Sequence, residues 1–120
     1  MAQFQSVALS HSTTDKNVLF KVDAGIQFQT HELNTRWFLD IDFKESDRVS
    51  KDDMIESSAR TFTADELSKN VSFSFAIPKS KVNTEPGKEE VYAVVDVIPL
   101  EEPPQFVRDT ATTNQTSVNV

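Results

Sequence analysis

The sequence predicts an all-β protein, an antiparallel β-sandwich of about six or seven strands with one or two short helical turns. Four stretches point there. Every even position from 18 to 28 is apolar (Val18, Phe20, Val22, Ala24, Ile26, Phe28), while the odd positions after Leu19 are Lys21, Asp23, Gly25, Gln27 and Gln29. Trp37, Leu39, Ile41 and Phe43 alternate with Phe38, Asp40, Asp42 and Lys44. Val71, Phe73, Phe75 and Ile77, then Val91, Ala93, Val95 and Val97, repeat the pattern. Side chains change face at each residue of a strand, so a period of two buries one face and wets the other.

Taken in order, residues 3–9 alternate weakly and predict an edge strand, followed by a polar loop from Ser10 to Asn17. The long strand 18–28 comes next. Thr30 to Thr35 is short, so the strand 36–44 is expected to pair antiparallel with its predecessor. Ser50 followed by Asp53 predicts one or two helical turns carrying Met54 and Ile55, and Thr63–Glu66 predicts a single turn that tucks Leu67 inward. Strand 71–77 is expected to end or bulge at Pro78, which cannot donate to a ladder.

Glu85-Pro86-Gly87-Lys88 has the residues of a type II turn. If 71–77 and 91–98 form a hairpin about that turn, Asp96 falls opposite buried Ile77, so a bulge near Pro78 is expected to restore the register. The strand 91–98 is apolar on both faces, with Tyr92, Val94 and Ile98 on the second, and is expected to be central or covered. Pro99, Pro103 and Pro104 end the sheet, with a brief edge contact at Phe106 and Val107. The folded domain is expected to span 1–107 and residues 108–120 to be a disordered tail. The architecture fits an immunoglobulin-like or jelly-roll sandwich, and a lone tryptophan on strand 36–44 is where many immunoglobulin-like domains place theirs.

Composition limits the chemistry. A net charge of −7 and no Lys/Arg cluster oppose phosphate backbones and anionic lipid, so no nucleic-acid partner is expected. Cysteine is absent, which removes disulfides and thiolate chemistry. The first residues lack a basic and apolar leader and no run approaches a membrane span, so a soluble protein is expected, cytoplasmic or part of an assembled particle, without membrane insertion. Gly25 and Gly87 are the only glycines, too few for a phosphate-cradling loop.

Asp40, Asp42, Asp47 and Asp52, with Glu45 and Asp53 nearby, are the candidate calcium ligands, although the glycine-centred loop of an EF-hand is missing. Solvated strand and loop carboxylates explain the same residues, and Asp40 and Asp42 lack the unequal environments of a glycosidase pair. His11 and His31 fall in polar loops, and a zinc site pairing them with Glu32 would need all three to converge. Two sequons, at Asn70 and Asn114, are expected by chance in a chain rich in Ser and Thr.

Phe38, Tyr92, Val94 and Ile98 are apolar where the faces should be wet. If their strands are neighbours they form a patch of the kind that marks a protein interface, unless a loop or the final segment covers it. The expected function is a non-enzymatic protein-interaction or assembly module without cofactors, for example a subunit of a homo-oligomer or of a virion- or secretion-type assembly. The alternative is a small-ligand, carbohydrate or calcium-dependent binding domain using the acidic 40–53 region.

Overall fold

The structure, a computed structural model, describes residues 2–46, 52–82, 88–100 and 109–119. Asp47 and the Pro86-Gly87 turn lie outside the described residues. The strands are β1 (Gln3–Thr13), β2 (Asn17–Gln27), β3 (Arg36–Glu45), β4 (Asp53–Thr63), β5 (Ser68–Pro78), β6 (Lys88–Pro99), β7 (Asp109–Thr112) and β8 (Thr116–Asn119). One sheet has the order β1-β2-β5 and the other β4-β3-β6-β7, with β8 also on β6. All pairings are antiparallel. The protein is an all-β sandwich, as its alternation predicts. The order is immunoglobulin-like, except that the fourth strand lies beside the third rather than on the first sheet.

The core is the set of alternating residues. Val18, Phe20, Val22 and Ile26 from β2 and Trp37, Leu39, Ile41 and Phe43 from β3 are fully buried, and Val91, Ala93, Val95 and Val97 complete the second layer. Rings meet across the layers: Phe28 lies 5.2 Å from Trp37 and Phe20 lies 5.2 Å from Phe43, centroid to centroid. Such pairs add about 0.5–1.5 kcal/mol beyond area burial.

Those contacts overturn the expected pairing of 18–28 with 36–44. The two strands sit in opposite sheets and face each other through the core. Their link contains a 3₁₀ turn (Thr30–Glu32), where the Glu32 carboxylate accepts the Gln29 N–H at 2.9 Å. Asn34 follows at φ 63°, a left-handed conformation that asparagine tolerates better than most residues. The β4–β5 link crosses between sheets at the same end, and the two links share hydrogen bonds. The Asn34 N–H donates to the Ala64 carbonyl, the Ala64 N–H to the Thr35 carbonyl, and the Phe28 N–H to the Leu67 carbonyl. The turn expected at 63–66 is absent; Ala64 is buried and Leu67 is 44% exposed.

Three further expectations are corrected. Met54 and Ile55 belong to β4, not to a helical turn, and the register shift between Phe43 and Lys44 lets Ile55 turn inward beside the even positions of β4. β5 runs through Pro78 without a register shift and, among the described residues, pairs only with β2, so it forms no hairpin with β6; a short helix, α1 (Lys79–Val82), leads away from it. The shifts lie instead at Phe43/Lys44 and between Phe4 and Ser6. The polar segment 10–13, expected as loop, extends β1 to Thr13.

The segment from Asp109, expected to be disordered, forms β7 and β8 along β6. Threonine suits a pleated edge, and polar side chains make up for the missing apolar mass. Thr113 is buried; its Oγ1 accepts the Ala93 N–H at 2.9 Å. The Asn114 amide accepts the Leu9 N–H at 2.9 Å and donates to the Leu9 carbonyl at 3.0 Å, imitating a ladder pair with β1. Asp109 accepts the Phe4 N–H, and His11 Nδ1 lies 2.6 Å from Thr116 Oγ1. The last strands thus join the edges of the two sheets on one side of the sandwich.

Candidate functional site: the outer face of the second sheet

Each strand of the second sheet turns one parity inward and the other outward. The odd positions of β3 and β6 fill the core, so their even positions form the outer face. Register sets them in rows. Phe38 stands between Thr61 and Ile98. Next come Ala59, Asp40, Asp96 and Thr110. Ser57, Asp42, Val94 and Thr112 form the third row. Met54, Lys44 and Tyr92 form the fourth.

Phe38, Tyr92, Val94 and Ile98 therefore share one face, on adjacent strands, and each is half-buried. Directly opposed residues in such a ladder have Cβ atoms about 4.5–5.5 Å apart, close enough for Phe38 and Ile98 to pack together. Rows are about 6.6–6.8 Å apart along a strand, so the four rows span roughly 20 Å. Met54, 54% exposed, extends the apolar surface at one corner.

Carboxylates divide this apolar surface. Asp40 faces Asp96 across the strand pair, and Asp42 lies one row on. The Thr110 hydroxyl donates to Asp96 and the Ser57 hydroxyl to Asp42. Hydroxyl donors hold the carboxylates without cancelling their charge. Asp52 accepts a short hydrogen bond from the Tyr92 hydroxyl, and that bond, with burial and the Asp52 charge behind it, pushes the Tyr92 phenol up to about 12. Asp96 was visible in the alternation of 92–98, but only the register of β6 on β3 sets it against Asp40.

The other candidates do not converge on one place. Among the described residues no group of three His, Asp or Glu side chains is arranged to hold a metal ion. Glu32 is buried at the crossover end, His31 is exposed beside it, and His11 pairs with Phe20, about eight residues or roughly 26 Å along β2 from Phe28. Asn70 and Asn114 are exposed, and Asn114 is engaged with the Leu9 backbone. Among the described residues no helix is long and apolar enough to cross a membrane.

Edges are less inviting than this face. β1 is tied to the last strands by the side-chain bonds described above. On the open side, Arg60 of β4 turns inward, with its guanidinium 4.6 Å from the Phe75 ring centroid on β5. An inward charge on an edge strand discourages the addition of a further strand. No protein-family model matches the sequence, and a search of curated proteins finds no match.

Proposed function

We propose that this protein is a non-enzymatic interaction module and that its binding surface is the outer face of the second sheet, centred on Phe38, Ile98, Val94 and Tyr92. The observation that supports this reading is the register of β3 on β6, which sets Phe38 directly beside Ile98 on a face turned away from the core. A rigid sandwich core with apolar groups on an outer sheet face is suited to holding a partner, and aromatic residues are favoured at the centres of interfaces.

The test separates a binding face from a face that the chain covers itself. Replacing Phe38 by Ser and Ile98 by Thr is expected to lower stability by less than about 1 kcal/mol, because surface substitutions are cheap. The check is urea unfolding followed by Trp37 fluorescence; Trp37 is the sole tryptophan and fully buried. A loss of about 3 kcal/mol or more, the range for emptying a packed core site, would mean that this face is already occupied by the chain and would sink the proposal.

A further inference from the structure

We infer that the free edge of β5 is a self-association site, where the β5 of a second copy pairs antiparallel with it about a two-fold axis at Phe73. This surface is separate from the outer face proposed above. β5 is an edge of the first sheet, bonded to β2 alone among the described residues. An edge presents unpaired N–H and C=O groups, which proteins guard with charges, bulges or cover. The other edges are guarded. β4 carries Asp53, Glu56 and Arg60 and meets a register shift, while β1 and the last strands are tied to each other. β5 pairs with β2 over its whole length without a shift, and from Asn70 to Ile77 it carries no charge.

The strand complements its own reverse. Turned about Phe73, it sets Val71 against Phe75, Phe73 against Phe73 and Ser72 against Ser74. Apolar residues then meet on the core side and short polar ones on the outer side, as an isologous contact with matched parity requires. Val71 and Phe75 are already buried in the single chain, but Phe73 is only partly buried, and the other copy's Phe73 would cover it. Charges at the ends of the strand suit the same register. Asp65 and Glu66 precede it and Lys79 and Lys81 follow it, so each copy's acids come toward the other's lysines. Within one copy Lys69 lies 2.8 Å from Asp65, and Lys81 lies 3.1 Å from Glu56 of β4. Glu66 and Lys79 are therefore the charges that the pairing newly brings near each other. On the adjoining β2, Lys21 and Asp23 lie 3.9 Å apart and offset each other. Arg60 of β4, over the Phe75 ring, opposes the pairing. The two copies of Arg60 stand roughly 13 Å apart along the strand, beyond a screening length of about 8–10 Å at moderate salt. The net charge of −7 acts at longer range and weakens the dimer at low salt. The opposite edge, β1, is occupied by its bonds to the last strands, so assembly stops at two copies.

The test is sedimentation equilibrium of the whole protein at moderate salt from about 10 to 500 µM, a range suited to an interface at the small, weak end. The native chain is expected to show a monomer–dimer equilibrium. Ser72→Lys with Ser74→Lys sets lysine against lysine at both contacts and is expected to weaken the dimer tenfold or more, because like charges directly opposite are destabilising. Ser72→Lys with Ser74→Glu sets opposite charges at the same contacts and is expected to dimerise at least as well as the native chain. Ser10→Lys with Ser12→Lys adds the same charge to exposed positions on β1, away from the joint, and is expected to change association less than threefold. Ser74 also opposes Lys21 within each copy, so native Trp37 emission is checked in every variant. Should the double lysine variant fail to fold, Ser72→Glu with Ser74→Glu makes the same like-charge contact in its place. A native chain that stays monomeric throughout overturns the inference. So does a dimer that the lysine–lysine and lysine–glutamate variants leave unchanged or weaken equally. A dimer that Phe38→Ser dissolves and the edge variants leave intact overturns it too, and would place the second copy on the outer face of the second sheet.

Discussion

Replacing Asn114 by Ala tests whether the last strands belong to the fold. The Asn114 amide makes two hydrogen bonds to the backbone of Leu9, at 2.9 and 3.0 Å, and Leu9 is only 4% exposed. A typical intramolecular hydrogen bond contributes about 1 kcal/mol net, and a buried backbone group left unpaired costs at least as much. Asn114 itself is exposed, so water reaches part of the site and the lower end of the range applies. The expected loss is about 2 kcal/mol, which corresponds to a fall of roughly 8 °C in Tm for a domain of this size. Urea unfolding by Trp37 emission gives the free energy, and Gln115→Ala, at an exposed neighbour, is the control with an expected change within about 0.5 kcal/mol. Asn114→Asp keeps an acceptor for the Leu9 N–H but turns a carboxylate toward the Leu9 carbonyl, so it should fall at least as far as the Ala variant. If Asn114→Ala changes stability no more than the control, the side-chain bridge between the sheets contributes nothing and the account of the last strands is wrong.

Two other outcomes are expected. Tyr92 is the only tyrosine, so absorbance at the phenolate band reports it alone: its midpoint should lie near pH 12 in the folded protein and move toward 10 in Asp52→Asn. Because the folded state holds this proton more tightly than the unfolded chain, the associated stability is complete below about pH 10 and is lost as pH rises toward 12; a native midpoint at 10 would contradict the hydrogen bond. Calcium at 5 mM should leave Tm within about 1 °C, and a rise of several degrees would instead identify the acidic 40–53 region as a ligand site, since a ligand selective for the native state must raise Tm.

Alternation made β2, β3, β5 and the inner face of β6 legible, because each turns four or more apolar side chains of one parity toward the core. Which strands pair was harder to read. The Thr30–Thr35 link is short enough for a hairpin, and nothing in its length distinguishes that from a crossover. Phe28 against Trp37 decides it, since those rings fill the core only from opposite sheets. β4 was hidden because its inner face holds Glu56, Ser58, Arg60 and Phe62, so no apolar period appears. The last strands were hidden for a related reason: Thr113, Asn114 and Asp109 secure them by hydrogen bonds, which a hydrophobicity pattern does not register. The apolar residues of the outer face, Phe38, Tyr92, Val94 and Ile98, were legible as exceptions to the alternation, while the row of Asp40 and Asp96 beside them needed the register.

The shared hydrogen bonds between the two crossovers also bear on where this chain can accept inserted sequence. Asn34, Thr35 and Ala64 exchange backbone bonds, so lengthening either link would strip partners from the other. The β1–β2 hairpin at the opposite end closes Thr14 on Asn17, its tip residues are exposed, and a backbone bond links it elsewhere, from the Lys79 N–H to the Lys16 carbonyl at 2.9 Å. A peptide or a fluorescent domain grafted between Asp15 and Lys16 should leave the sandwich whole; the same graft beside Asn34 would pull apart both of the links that cross between its layers at that end.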